Sequence, residues 1–94
     1  MSYRVRFTRQ AGKDIRRLSP KLRDKLKAIV RNRLAVAPLS GKPLVGPLKG
    51  YYSVRLSYQD RIVYSIDDDQ RVVLIVRAGT HYGDWLAKNA GYRR

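Results

Sequence analysis

Two apolar stretches near the carboxyl end, 61–66 and 71–77, restrict the fold of this chain more than any other feature. The first alternates apolar and polar side chains, which is typical of a strand with one buried face. The second, RVVLIVR, is continuously apolar between two arginines and predicts a central strand that is buried on both faces. The acidic segment DDDQ at 67–70 favours a hairpin turn between them. An antiparallel sheet is therefore expected.

Two further stretches, 51–57 and 2–8, show the same alternation and predict two more strands. Their apolar positions are Tyr52, Val54 and Leu56 in one, and Tyr3, Val5 and Phe7 in the other. Between them, Thr8 and the pair Ser19-Pro20 are N-cap signals for two successive helices, the second with apolar residues as far as Leu34. The segment 37–50 has three prolines and three glycines and is interpreted as a structured loop.

The predicted fold is therefore α+β in a single domain, 1–94. It comprises an N-terminal strand, a two-helix hairpin, a three-stranded antiparallel meander and a short C-terminal helix within 82–94. A chain of 94 residues has room for one modest core.

Charge is the first indication of function. The chain has 21 Lys+Arg against 7 Asp+Glu, a formal net charge of +14, and all seven acids are aspartates. Such an excess favours a polyanionic or acidic partner. A solubilising surface or adaptation to heat is the alternative, although ion-pair networks need acids that are scarce here.

Several classes of protein are excluded or disfavoured by composition. The chain has no cysteine and one histidine, so disulfide scaffolds, thiol catalysis and imidazole metal clusters are excluded. The acidic turn at 67–69 lacks the spaced partner that a metal site needs. There is no apolar run of membrane-spanning length and no signal-peptide core, so we expect a soluble, cytoplasmic protein without a membrane partner.

Strand alternation predicts a cluster of arginines. If the apolar positions of each strand face the helices, with Val72, Leu74 and Val76 as those of the last strand, Arg55, Arg61 and Arg77 converge on the opposite face, together with Ser53. Guanidinium groups bind phosphate oxygens through paired hydrogen bonds, which suits a phosphodiester. The alternative is that a solvent-exposed face simply carries arginines.

Other side chains fall near this predicted cluster. His81 follows the last strand and could protonate a leaving 5′-oxygen, although a lone histidine is more often structural. Tyr82 and Trp85 either pack in the fold or stack on a splayed-out base. Lys49 precedes the first strand of the meander, and alternation exposes one tyrosine of the pair 51–52.

The layout and the stretch PLKGYYSVRLSYQDRIVYSIDDD…VVLIVRAGTHYGDW resemble the RelE/ParE superfamily of type II toxin–antitoxin toxins. The most specific parts are Y-x-V-R-L-x-x-x-x-R-I-V-Y at 52–64 and R-x-G-T-H at 77–81. The resemblance covers nearly the whole chain and implies a RelE-like fold.

The resemblance implies a ribosome-dependent mRNA endoribonuclease that cleaves A-site codons and inhibits translation. In such toxins the 2′-hydroxyl attacks the adjacent phosphate without a metal or other cofactor. By position, the catalytic residues implied or suggested are Arg55, Arg61, Arg77, His81 and Tyr82, and those expected to contact RNA are Lys49, Tyr51, Ser53 and Trp85. The partners implied are mRNA, the 70S ribosome with its 16S rRNA, and a RelB-like antitoxin. We expect an acidic antitoxin that covers the arginines or displaces the 82–94 segment.

The chain also departs from these relatives. Gly46 stands where YoeB-like members have a glutamate general base, Ser53 replaces a lysine of RelE-like members, and the chain has no glutamate at all. His81 or Tyr82 could serve as the base, or catalysis could rest on positioning and charge stabilisation. The alternative function is a ParE-like DNA gyrase inhibitor without nuclease activity.

Overall fold

The computed structural model of this chain describes residues 2–79, which form a five-stranded sheet with two α-helices packed on one face. The strands lie in the order β1-β5-β4-β3-β2. In chain order the regular elements are β1 (Arg4–Phe7), α1 (Arg9–Arg16), α2 (Pro20–Ile29), β2 (Lys42–Pro43), β3 (Tyr51–Arg55), β4 (Arg61–Asp67) and β5 (Val72–Gly79). The α+β class is thus confirmed.

The predicted meander is present, since β3 pairs antiparallel with β4 and β4 with β5. The acidic segment forms the turn between β4 and β5, where the backbone N–H of Gln70 donates to Oδ1 of Asp67 at 3.1 Å. Arg71 completes this turn with a positive φ of 58°. The Tyr3 hydroxyl donates to Asp68 at 2.8 Å and so ties the turn to the chain start.

The prediction of three strands after the helices is wrong, because four are present. The additional strand, β2, is only two residues long and pairs antiparallel with β3 from within the segment interpreted as a loop. Two residues are too few to show alternation, and a proline such as Pro43 is tolerated on an edge strand. The predicted C-terminal helix lies outside the described residues.

The sheet is mixed, whereas the prediction was of an antiparallel one. Strand β1 pairs parallel with β5, with Arg4 opposite Val72 and Phe7 opposite Ile75. Parallel neighbours need a long crossover, and here the helices and the meander provide it. Alternation within residues 2–8 identifies a strand but carries no information about its partner.

Both predicted helix starts are confirmed. The Thr8 hydroxyl accepts the N–H of Ala11 at 3.1 Å, and the Ser19 hydroxyl accepts that of Leu22 at 3.3 Å. Arg23 closes the turn between the helices by donating to the carbonyl of Leu18 at 2.7 Å. Helix α2 ends earlier than its apolar stripe, because the backbone changes to a π-helix over Val30–Leu34.

The core lies between the helices and one face of the sheet. It comprises Ala11, Leu18, Leu26, Leu34, Val54, Leu56, Ile62, Tyr64, Val73, Ile75 and Ala78. Tyr3 and Val5 pack against it, whereas Phe7 is largely exposed. Pro38 is also buried, and its carbonyl accepts the Tyr64 hydroxyl at 2.6 Å.

The predicted inward positions of β5 are wrong. Val73 and Ile75 face the core. The residues predicted to do so were Val72, Leu74 and Val76. A bulge shifts the register so that Tyr64 lies opposite Ile75 but the preceding residue of β4 lies opposite Arg77. Burial alternates along 72–75, and the bulge interrupts this alternation at Val76 and Arg77, which are both half-buried. A continuously apolar run does not show which alternate side chains face the core, so the inward residues of β5 could not be assigned from sequence.

Among residues 2–79, no helix is long and apolar enough to cross a membrane.

Candidate functional site

Arg55 and Arg61 lie directly opposite each other at the end of β3 and the start of β4. Their neighbours Val54 and Ile62 face the core, so both arginines lie on the sheet face opposite the helices. Directly opposed residues have Cβ atoms about 5 Å apart, and like charges in this position are destabilising. Neither side chain forms a hydrogen bond or ion pair with another described residue. The pair, hereafter the arginine pair, is therefore suited to bind an anion between its guanidinium groups.

The turn between β3 and β4 fixes the position of the arginine pair. The Ser57 hydroxyl donates to Oδ2 of Asp60 at 2.6 Å and accepts the Asp60 N–H at 3.1 Å. The carbonyl of Asp60 accepts the N–H groups of Leu56 and Ser57 at 2.8 and 3.1 Å. Sequence analysis missed this role of Asp60, although a serine three residues before an aspartate in a polar segment is a recognisable turn signal.

The register pairs Arg77 with Val63, on the sheet face of the arginine pair, but its guanidinium group is bound at helix α1. This register results from the β-bulge in the β4–β5 pairing. It does not result from the regular alternation that was assumed from sequence. The guanidinium Nε of Arg77 donates to Oδ2 of Asp14 at 2.8 Å, and its Nη2 lies 3.4 Å from Oδ1. The side chain is 15% exposed. Arg77 is thus held by an aspartate that sequence analysis did not connect with it, 63 positions away.

Asp14 has several donors around its carboxylate. Besides Arg77, it accepts the backbone N–H of Ala78 at 3.0 Å and the Gln10 amide at 3.1 Å. Burial raises the pKa of Asp14, but the hydrogen bonds from Arg77, Ala78 and Gln10 outweigh burial and leave the pKa below its ordinary value of 3.8. Asp14 is therefore ionised at neutral pH and neutralises Arg77.

Three of the four residues predicted to contact RNA lie on β3 or just before it. Lys49 is exposed, and with Tyr51 and Tyr52 it lines a groove of about 560 Å³ at the start of the strand. Ser53 shares the face of Arg55 but is only 4% exposed. Tyr51 and Arg55 are four residues apart, which corresponds to about 13 Å along a strand. The groove and the arginine pair thus occupy opposite ends of β3.

His81, Tyr82 and Trp85 lie outside the described residues, so their predicted roles stay predictions.

The register adds further cations to the sheet face of the arginine pair. Lys42 lies opposite Ser53 on β2, while Arg4 and Arg6 lie opposite Val72 and Leu74 on β5. All three are exposed. They lie on the two edge strands of the sheet, outside the strands that carry the arginine pair, and have no assigned contact with substrate.

Comparison with known proteins agrees with the fold and the sequence motifs. The family model described as the ParE toxin of the type II toxin–antitoxin system parDE matches residues 5–85. Toxin RelG of Mycobacterium tuberculosis is 37% identical over 78 residues, covering 82% of this chain and 88% of RelG.

Two solved structures extend this similarity. The RelBE2 toxin–antitoxin complex from M. tuberculosis contains a chain 35% identical, with a TM-score of 0.77 and coverage of 83% of this chain and 90% of that one. A mutant of E. coli toxin RelE in the free state superposes with a TM-score of 0.78 at 25% identity, covering 99% and 98%. This chain belongs to the RelE/ParE superfamily of type II toxin–antitoxin toxins.

Proposed function

We propose that this toxin is a ribosome-dependent mRNA endoribonuclease that cleaves A-site codons and thereby inhibits translation. The observation that carries the proposal is the arginine pair, two like charges directly opposed on neighbouring strands without an acidic partner among the described residues. Similarity to toxin RelG and to the RelE structure supports it. The localisation that fits this function is the cytoplasm.

The reaction proposed is an internal transfer at one phosphodiester. The 2′-hydroxyl oxygen forms a bond to the adjacent phosphorus while the bond from phosphorus to the 5′-oxygen breaks. A base takes the 2′-hydroxyl proton and an acid gives a proton to the 5′-oxygen, leaving a 2′,3′-cyclic phosphate and a 5′-hydroxyl. Negative charge grows on the phosphoryl oxygens, so Arg55 and Arg61 would stabilise the transition state more than the ground state.

The remaining roles follow the sequence predictions. His81 is assigned as general acid, and Tyr82 as the base that stands in for the glutamate of YoeB-like toxins. Lys49 and Tyr51, which line the groove at the other end of β3, would contact the neighbouring nucleotides. Trp85 is assigned to base stacking. Arg77 would act through the guanidinium edge that Asp14 does not occupy. No metal or other cofactor is assigned a role.

The partner proposed for inhibition is a RelB-like antitoxin. Two relatives have been solved as toxin–antitoxin complexes, RelBE2 of M. tuberculosis and RelBE of E. coli. An acidic segment that folds on binding would be attracted by the net charge of +14. We expect it to cover the arginine pair or displace the 82–94 segment.

Gyrase inhibition without nuclease activity is the second candidate. Two observations favour it: the matching family model is that of ParE toxins, and Arg77 is neutralised by Asp14 rather than free for a phosphate.

Primer extension on a defined mRNA, with and without programmed 70S ribosomes, separates the two functions. Cleavage at A-site codons only with ribosomes supports the nuclease, and the Arg61→Gln variant should then cleave about 100-fold more slowly. Arg4→Gln removes an exposed arginine from the edge strand β1 and serves as control. Absence of cleavage by the folded protein, together with inhibition of DNA supercoiling by purified gyrase, would replace the nuclease with the second function.

A further inference from the structure

The charge of this protein is concentrated on the helices rather than around the arginine pair. Residues 9–34, which span both α-helices and the π-helix, contain ten Lys+Arg and two Asp, a net charge of +8. The other 52 described residues contain eight Lys+Arg and four Asp, a net charge of +4. A third of the described chain thus holds two thirds of its net charge.

These cations are on the outside of the helix layer. The apolar residues of α1 and α2 pack on the sheet, and nine of the ten cations are exposed. We call these nine the helix-layer cations: Arg9, Lys13, Arg16, Arg17, Lys21, Lys25, Lys27, Arg31 and Arg33. Asp24 is the one exposed acid in residues 9–34, and Asp14 is buried against Arg77. No helix-layer cation forms an ion pair with another described residue.

Local helix stability does not account for this arrangement. Neither helix has an acidic residue in its first turn, where the helix dipole favours one, and Arg9 and Lys21 occupy those turns instead. Lys13 is also spaced four residues from both Arg9 and Arg17, and like charges at that spacing destabilise a helix by about 0.2–0.5 kcal/mol per pair. Lys13, Arg16 and Lys27, in the last turns, do complement the helix dipole. Local stability therefore explains only the last-turn cations, and a ligand that neutralises Arg9 and Lys21 would remove their unfavourable interaction with the dipole.

We propose that the helix-layer cations form a docking surface for the sugar–phosphate backbone of folded RNA, distinct from the arginine pair on the opposite side of the sheet. Cations at intervals of three and four residues along α1 follow one line, with Cβ atoms about 5–6 Å apart. Such a line can contact consecutive phosphates without reading bases, because phosphate contacts position a protein while base contacts specify it. The inference deepens the proposed function and rests on it in one respect, that the folded RNA is ribosomal.

The arrangement gives the two faces separate tasks. The helix layer would anchor the toxin on structured RNA, while the arginine pair on the far side of the sheet meets the single-stranded substrate. Loss of helix-layer charge should therefore weaken binding and raise KM, whereas loss of the arginine pair should lower kcat.

The test uses equilibrium binding, so it does not depend on cleavage. A triple variant, Lys13→Gln, Arg17→Gln and Lys25→Gln, removes three exposed helix-layer cations. The matched control, Arg4→Gln, Arg6→Gln and Lys42→Gln, removes three exposed cations from the strands. Both are compared with the unaltered protein for binding to a labelled RNA duplex and to vacant 70S ribosomes as salt is raised from about 50 to 200 mM.

The helix variant should lose roughly 10- to 100-fold in affinity for both probes near 150 mM salt, and the slope of log affinity against log salt should fall by about 0.9 for each lost contact. The control should stay within about threefold. Equal losses in both variants would overturn the proposal, since binding would then depend on total charge alone. Weakened binding of a polyglutamate peptide with unchanged RNA binding would also overturn it and assign the surface to an acidic protein. If the nuclease function fails while the binding result holds, only the ribosomal identity of the RNA is lost.

Discussion

The carboxylate of Asp14 on α1 accepts both the Arg77 side chain and the backbone N–H of Ala78 on β5, at 2.8 and 3.0 Å. Strand β1 pairs with β5 only as far as Ile75, so the following residues of β5 lack a strand on that side. Helix α1 covers this edge, and Thr8 at its N-cap also donates to the carbonyl of Val76 at 3.2 Å. Asp14 thus replaces a missing strand partner.

Substituting Asp14 should therefore destabilise the fold. Asp14→Ala leaves the Ala78 N–H and the Arg77 guanidinium without their acceptor, and losing one member of a largely buried ion pair costs about 3 kcal/mol. Asp14→Asn retains an oxygen acceptor and should cost less. Urea unfolding measures both, with Asp24→Asn as an exposed control that should change stability by under about 0.5 kcal/mol. Equal effects of Asp14→Ala and Asp24→Asn would show that the pair contributes nothing.

Acidification should destabilise the fold by protonating the carboxylate of Asp14. The folded-state pKa of Asp14 lies below its ordinary value of 3.8, so its contribution to stability is present above pH 3.8 and is lost as pH falls through the lower folded-state value. The difference in unfolding free energy between the unaltered protein and Asp14→Asn should shrink across that interval. A difference that stays constant or grows on acidification would contradict the lowered pKa.

Tyr64 makes a second buried contact whose loss can be measured. Its hydroxyl donates to the carbonyl of Pro38 at 2.6 Å, and its ring stacks on Tyr52 with centroids 5.6 Å apart. Tyr64→Phe keeps the ring but leaves a carbonyl of the buried Pro38 without this donor, at a cost of about 1–3 kcal/mol. Tyr52→Phe is the matched control, because the Tyr52 hydroxyl has no hydrogen bond to another described residue. In thermal unfolding, Tyr64→Phe should have a clearly lower midpoint temperature than Tyr52→Phe. Equal midpoints would refute the role of the Tyr64 hydroxyl.

Sequence patterns predicted the parts of the fold that depend on local chemistry. The caps at Thr8 and Ser19 and the acidic turn at 67–70 all have local signals and are confirmed. The shared sheet face of Arg55 and Arg61 was predicted from alternation in two strands, whereas their direct opposition depends on the strand register. The bulge on β5, the parallel partner of β1 and the pairing of Arg77 with Asp14 depend on tertiary contacts between distant segments. No spacing within a single stretch could reveal them.

The Ser57–Asp60 turn should control catalysis through the arginine pair. Ser57→Ala removes the hydroxyl that donates to Asp60 and accepts its N–H. The ends of β3 and β4, which carry Arg55 and Arg61, then lose two hydrogen bonds that hold the turn between them. Misplacing a catalytic group by about 1 Å can lower a rate about 100-fold. In single-turnover cleavage on programmed ribosomes, we expect Ser57→Ala to lower the rate by about 10-fold or more with little change in ribosome affinity. The control is Ser65→Ala on β4, whose hydroxyl has no hydrogen bond to another described residue. If Ser57→Ala lowers thermal stability but cleaves at the unaltered rate, the turn supports the fold and does not position the arginine pair.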